Sequence, residues 1–267
     1  MAYLYVEVLK SVLCGMSMTK PKQTNLGILV SRRNGAHMNS IHPTAVIDPL
    51  VVMGTGNTIG PYTVILGNVF IGDDNWIGPH VVIGTPAQIR GGQHPATWNG
   101  ESSTTSIEIG SRNVIREFAT VHAGTVDTTR IGSDCYFMTQ AHIPHDSQID
   151  DGVTLSNSVQ LGGHTIIQKG ANIGLGAVIH QRSIIGCSAM VGMGSVVTKA
   201  VLPFGMAYGS PARIRGGNVI GMQRAGLADE LIQQVVMAFN QSDNDALRRL
   251  IPNEMTRFDK AEESQNN

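Results

Sequence analysis

Residues 131–197, IGSDCYFMTQAHIPHDSQIDDGVTLSNSVQLGGHTIIQKGANIGLGAVIHQRSIIGCSAMVGMGSVV, carry an aliphatic or aromatic side chain at every sixth position: Ile131, Phe137, Ile143, Ile149, Leu155, Leu161, Ile167, Ile173, Ile179, Ile185, Val191 and Val197. Six is neither the helical nor the simple strand period. With 42% of the chain hydrophobic, twelve consecutive hits in one fixed phase arise by chance in about 3 cases in 100,000. The same register runs through Ile41, Ile47, Met53, Ile59, Ile65, Ile71, Ile77 and Ile83, and again through Ile109, Ile115 and Val121. Such a period specifies a hexapeptide solenoid.

The physical form of that repeat is a triangular coil with three short parallel strands, one inward aliphatic side chain per side and a corner after each. Residues eighteen apart then stack at about 4.8 Å, the spacing of hydrogen-bonded strands. Glycine or aspartate follows many inward residues, as in Ile59-Gly60, Ile71-Gly72 and Ile173-Gly174, and such residues are expected to supply the unusual backbone angles of tight corners. The expected fold is an all-β, left-handed parallel β-helix with a small C-terminal α-helical region. Its hand is that of the known hexapeptide solenoids and runs against the usual right-handed crossover.

Composition agrees. Aromatic residues make up 5% of the chain and charged residues 15%, while 31 glycines are present; a narrow coil needs slim inward side chains and many corners. A net charge of −1 gives a nucleic-acid partner no electrostatic footprint. Cys14, Cys135 and Cys187 are odd in number and widely spaced, which reads as reduced thiols in a cytoplasmic protein. No stretch approaches the roughly 20 apolar residues of a membrane span. Residues 1–37 precede the repeat and lack the basic start and small-residue cleavage site of a secretory signal. They form either an ordered cap on the first coil or a loosely held extension.

The solenoid is expected over residues 38–201 and is interrupted twice by loops. Between Ile83 and Ile109 lies TPAQIRGGQHPATWNGESSTTS, and between Val121 and Ile131 lies AGTVDTTR with its preceding His122. Residues 202–267 are read as a connector and C-terminal helices. VLPFGMAYGSPARIRGGNVIGMQRAG is expected to be irregular, Leu227, Leu231, Val235 and Phe239 to line one helix, and a second helix to begin near Ser242–Asp245 and stop at Pro252. Residues 258–267 are expected to fray.

Histidines concentrate in the repeat. Eighteen-residue arithmetic stacks Asp146, His164 and Arg182 in one column and His145, Gly163 and Gln181 in the next. His122 shares a further column with Pro144, Gly162 and His180 once the second excursion is counted. Several imidazoles on one corner point to a functional cluster, and a neutral imidazole suits proton removal near neutrality.

These residues carry a family resemblance. GPHVVIG (78–84), IEIGSRNVIREFATVHAGTV (107–126), FMTQAHIPHDSQID (137–150), LSNSVQLGGHTII (155–167), AVIHQRSIIG (177–186) and GGNVIGMQRAG (216–226) resemble the UDP-N-acetylglucosamine O-acyltransferases that begin lipid A synthesis. The most specific pieces are AHIPHD and the segment from Arg112 to Thr125.

The resemblance implies a cytoplasmic homotrimer that moves a 3-hydroxyacyl group from acyl carrier protein, its co-substrate, to the 3-hydroxyl of a nucleotide sugar, without metal or other cofactor. It implies His145 as general base, Asp146 as its orienting partner and the Gly163 N–H as oxyanion donor. His142, His164, His180 and Gln181 match residues of the substrate cleft, and Asn218 and Arg224 match positions near the nucleotide. Lys199, Arg182, Arg213 and Arg215 are candidates for docking the acidic carrier protein. Met193 stands where the family often has glycine. A methionine there would shorten the acyl groove and favour chains of about ten carbons or fewer; the alternative is that it packs between coils.

The chain also departs from the family. The family's loop after the first repeat block usually carries an Asp and a Lys two apart; the loop here is longer and has neither, leaving Arg90 as the candidate replacement. Ile220 replaces a Glu, and Ala225 the second of two adjacent basic residues. A modified amino-sugar nucleotide is therefore a second candidate acceptor. Two other classes stay open: a zinc site of the hexapeptide carbonic anhydrase kind, drawing on His142 and His145, and a catalytically silent scaffold.

Overall fold

The structure is a computed structural model that describes residues 38–92 and 105–266. Segment 1–37 with Cys14, and the stretch 93–104 with His94, lie outside the described residues. The described chain winds into a left-handed parallel β-solenoid of about nine turns, followed by a small helical region.

Three sheets of ten, eight and seven strands form the faces of the prism, all parallel except for the last strand of the first. On the first face Thr154 pairs with Asn172 and Asn172 with Met190, eighteen residues apart each time. Across the two excursions Ile83 pairs with Val121 and Ile109 with Ile131, so the stack keeps its register past each loop apart from a local shift that sets His122 opposite Thr85. The hexad side chains fill the prism, and Ile65, Ile83, Phe137, Leu155 and Ile167 are completely enclosed. A second inward slot lies two residues before each hexad position. It takes mostly small or hydrogen-bonded side chains, such as Ala119, Ala141, Asn113, Thr165 and Cys135, although the buried Ile107 occupies it too.

The corners work differently from the sequence expectation. Apart from Gly84 (φ 91°), the glycines directly after the inward residue do not adopt positive φ; they let successive coils approach. A Cβ on Gly60 would lie 2.7 Å from the Pro79 nitrogen. The left-handed conformation falls two residues later and is carried by ordinary side chains, including Tyr62 (φ 58°), His80 (56°), Asp146 (60°) and His164 (60°). The stacked ladder holds these residues in a backbone region that Asp and His enter more readily than most.

The expected irregular connector is instead ordered. Gly205–Gly209 extends the first face by pairing with Met190–Val191, then turns into an antiparallel partner, Ala212–Gly217. The alternation of Ala207, buried, with Met206 and Tyr208, less buried, is a strand pattern. Helix α1 (Val219–Arg224) follows, then α2 (Asp229–Gln241), α3 (Asn244–Leu250) and α4 (Pro252–Asn266). Asp243 caps α3 by accepting from the Ala246 N–H at 2.8 Å. Pro252 does end the preceding helix, but it also opens α4, where a missing N–H costs nothing in the first turn. The expected frayed tail is therefore helical. Met255 joins Phe204, Met222, Val235 and Phe239 in a second core, and Phe258 is also buried.

Candidate functional site

The second corner of the prism, between the eight- and seven-stranded faces, carries His145, Asp146, Gly163, His164, Gln181 and Arg182 in consecutive coils. Its geometry follows from the stacking. The Asp146 side chain is fully enclosed, and its Oδ2 lies 2.7 Å from His145 Nδ1. An ionised carboxylate only accepts, so Nδ1 carries the proton and donates it. The lone pair of a neutral His145 is then on Nε2.

Burial, the largest influence on Asp146, works to raise its pKa. Hydrogen bonds from the Thr125 hydroxyl, His145 and the backbone N–H groups of Asp127 and Val126 overcome it and hold the carboxyl well below the usual range. The carboxylate is thus a permanent negative charge beneath the imidazole. His164 Nε2 stands 3.6 Å from the same oxygen, beyond hydrogen-bond range, and its ring meets that of His145 edge-to-face at 5.2 Å. Burial chiefly depresses the His164 pKa against the opposing pull of Asp146. His145 remains 14% exposed and His164 21%, enough to meet a ligand.

Gly163 sits against the His145 ring. Its carbonyl accepts from the Arg182 N–H at 2.9 Å, while its own N–H donates to no protein group among the described residues. His180 and Gln181 are exposed on the rim, with His180 Nδ1–H donating to the Gln181 carbonyl at 3.0 Å. His142 belongs to the adjoining face rather than the corner. Its Nδ1 is 2.8 Å from Thr120 Oγ1, its ring meets buried His122 edge-to-face at 5.1 Å, and burial lowers its pKa to about 4.

The other candidates stand elsewhere on the prism. Met193 is 74% exposed on the first corner beside exposed Leu175, so within one chain it does not pack between coils. Asn218 and Arg224 border a cleft of about 1050 Å³ on the first face, with Lys169, Met190, Ile220 and Arg257. Asn218 is bound into the fold: its Nδ2 donates to the Ser188 carbonyl at 2.8 Å and its Oδ1 caps α1 through the Gly221 N–H. One chain therefore does not bring the His145 corner, Met193 and the Asn218 cleft onto one edge. Arg90, Arg182, Lys199, Arg213 and Arg215 are all exposed. Burial raises the thiol of Cys135 to about 11 and that of Cys187 to about 12, unfavourable for a nucleophile.

Among the described residues, His145, Asp146 and His164 offer three potential metal-ligand atoms within 4.8 Å of one another. This set differs from the His142 and His145 pair considered for zinc. Its central oxygen already accepts from Thr125 and His145. Sequence reasoning missed Thr125, Val126 and Asp127, which bind Asp146 from the second excursion. The available signal was the 22-residue offset that puts Gly124 beneath Asp146.

Comparison with known proteins adds to this geometry. The family model described as "UDP N-acetylglucosamine O-acyltransferase; Domain 2" matches residues 201–263. The chain is 42% identical over 138 residues to the acyl-[acyl-carrier-protein]–UDP-N-acetylglucosamine O-acyltransferase of Anaeromyxobacter sp. (strain K), covering 51% of this chain and 54% of that protein. It is 35% identical over 159 residues to the protein of that name from Sinorhizobium fredii, 58% of each. The chain thus spans little more than half the length of these curated relatives. The UDP-N-acetylglucosamine O-acyltransferase structure from Moraxella catarrhalis RH4 is 31% identical with a TM-score of 0.59, covering 86% of this chain and 93% of that one. The UDP-N-acetylglucosamine acyltransferase from Campylobacter jejuni superposes with a TM-score of 0.71 at 25% identity, covering 83% and 88%.

Proposed function

Because the chain belongs to the family of UDP-N-acetylglucosamine O-acyltransferases, we propose that it moves a 3-hydroxyacyl group from acyl carrier protein to the 3-hydroxyl of UDP-N-acetylglucosamine or a close relative, in the cytoplasm. The observation that carries this reading is the His145–Asp146 pair, 2.7 Å apart, beside the undonated N–H of Gly163.

In this mechanism His145 Nε2 takes the proton of the sugar hydroxyl as its oxygen attacks the thioester carbon. The buried Asp146 charge stabilises the imidazolium, and the Gly163 N–H meets the oxyanion of the tetrahedral intermediate. Collapse breaks the carbon–sulfur bond, and the departing thiolate recovers the proton from His145. A thioester is already activated, so this chemistry requires neither a metal nor a covalent enzyme intermediate. His164, His180, Gln181 and His142 line the approach to the base, and Arg182, Lys199, Arg213 and Arg215 dock the acidic carrier protein.

The separation of the candidate residues over three edges supports a homotrimer. Threefold packing would set the corner of one subunit against the Asn218–Arg224 cleft and Met193 edge of its neighbours and complete each site. A second acceptor is favoured by exposed Ile220 in that cleft, where the family carries an acid: an amino-sugar nucleotide acylated on nitrogen.

The deciding experiment offers the purified protein acyl carrier protein thioesters and a panel of nucleotide sugars, with products read by mass spectrometry. His145→Ala should lose at least about 100-fold in rate while keeping the trimer. An acylated product made equally well by His145→Ala removes the base, and no product from any pair removes the transferase reading.

A further inference from the structure

We propose that Thr125 is a positioning residue for proton transfer at His145, holding both oxygens of the Asp146 carboxylate and so fixing where that charge meets the imidazole. The inference rests on the reading of His145 as base and deepens it.

Thr125 lies on the second excursion, outside the hexad register, yet it contacts Asp146 twice. Its N–H donates to Oδ1 at 2.9 Å and its hydroxyl to Oδ2 at 2.6 Å. Val126 and Asp127 add N–H donors to Oδ1 at 3.1 and 2.8 Å. The two oxygens therefore do different work. Oδ1 anchors the loop backbone, and Oδ2 faces the imidazole, shared between the Thr125 hydroxyl and His145 Nδ1–H at 2.7 Å. The Asp146 N–H is tied as well, donating to Thr129 Oγ1 at 2.9 Å, so the excursion holds the aspartate from backbone and side chain.

A hydroxyl hydrogen on Oδ2 draws electron density from the oxygen that stabilises the imidazolium. It thereby weakens Oδ2 as an acceptor while fixing the plane of the carboxylate. Removing it leaves Oδ2 more basic and less constrained, and the protonated form of His145 gains. The other groups facing His145 are His164 from the coil above, His142 and His122 from the adjoining face, and Asp127 and Arg182, which act on His164.

The test compares Thr125→Val and Thr125→Ser with the parent in the full chain. Isotope-labelled histidine reports the His145 titration by NMR, assigned with His145→Gln, and kcat/KM for acyl transfer is measured against pH. In Thr125→Val the His145 titration and the acid limb of kcat/KM should rise together by about half to one unit, a shift in the range of one ordinary hydrogen bond because the hydroxyl acts on His145 through Oδ2. Thr125→Ser, which keeps the hydroxyl, should restore both. A Thr125→Val titration that coincides with the parent overturns the proposal, including when activity falls equally at every pH, since that pattern means a loop anchor alone. Absence of transfer by the parent would defeat the acyltransferase reading, while the NMR titration would still decide the role of Thr125.

Discussion

A Cβ placed on Gly163 would lie 2.5 Å from Cε1 and 2.6 Å from Nε2 of His145, so the imidazole occupies the space that any other residue's side chain would fill. The corner backbone at Gly163 takes no left-handed angle, so the requirement comes from contact and not from conformation. Gly163→Ala should fold with little loss of stability, because the neighbouring ring is partly exposed and can turn. That turn moves Nε2 away from its place against Gly163. Displacement of a reacting group by about 1 Å can cost on the order of 100-fold, and kcat should fall by at least that much with an unchanged thermal midpoint. Full activity in Gly163→Ala would separate the ring from the chemistry.

Asp146→Asn tests the tautomer. An asparagine Oδ1 can still accept from the Thr125, Val126 and Asp127 N–H groups, which leaves its amide N–H₂ facing His145 Nδ1. A donor there makes Nδ1 the acceptor and places the ring proton on Nε2, where a lone pair is needed. Activity should fall by about 100-fold or more, with the oligomeric state unchanged. Retention of most activity would show that the carboxylate does not set the tautomer.

Acid should destabilise the fold in two separate windows. His142 has a folded pKa lowered to about 4 by burial, against about 6.5 unfolded. Between those values the unfolded chain binds a proton that the folded chain does not, so stability falls as pH drops from about 6.5 to 4. His122 and His164, also lowered, act with the same sign. The depressed carboxyl of Asp146 contributes stability above its unfolded value of about 3.9 and loses it as pH falls below that. Denaturant unfolding over a pH series should show both declines. His142→Gln should flatten the first and Asp146→Asn the second; parallel curves for His142→Gln and the parent between pH 6.5 and 4 would sink the assignment.

The solenoid was legible because a hexad residue must enter the core at every side, so Ile131 to Val197 reads as geometry. The stacking of Asp146 with His164 and of His145 with Gly163 followed by counting alone. Contacts made off the repeat were hidden: Thr125 reaches Asp146 through a four-residue excursion whose path no period dictates. The strands at Gly205–Gly209 and Ala212–Gly217 were obscured by glycine and proline, which read as loop although here they accompany a hairpin. Met255 and Phe258 sit among polar neighbours, and only their burial, Met255 within the second core, explains why α4 continues.

Met193 projects from the first corner, 74% exposed, at a place where glycine would leave open space. In a trimer this edge would face a neighbouring subunit, so the methionine would act as the floor of an acyl groove built between chains. Each methylene that finds apolar cover is worth about 0.8 kcal/mol, so a groove two carbons too short should disfavour the longer donor by roughly tenfold. Parent enzyme should therefore prefer acyl groups of about ten carbons or fewer, and Met193→Gly should move the optimum to longer chains by two or more carbons. Because the side chain buries little within its own coil, the substitution should leave the thermal midpoint nearly unchanged. The measurement is kcat/KM over a series of acyl carrier protein donors of stepped length, with both proteins side by side. An identical profile for the two would take Met193 out of chain-length selection and move the search to the opposing subunit's wall.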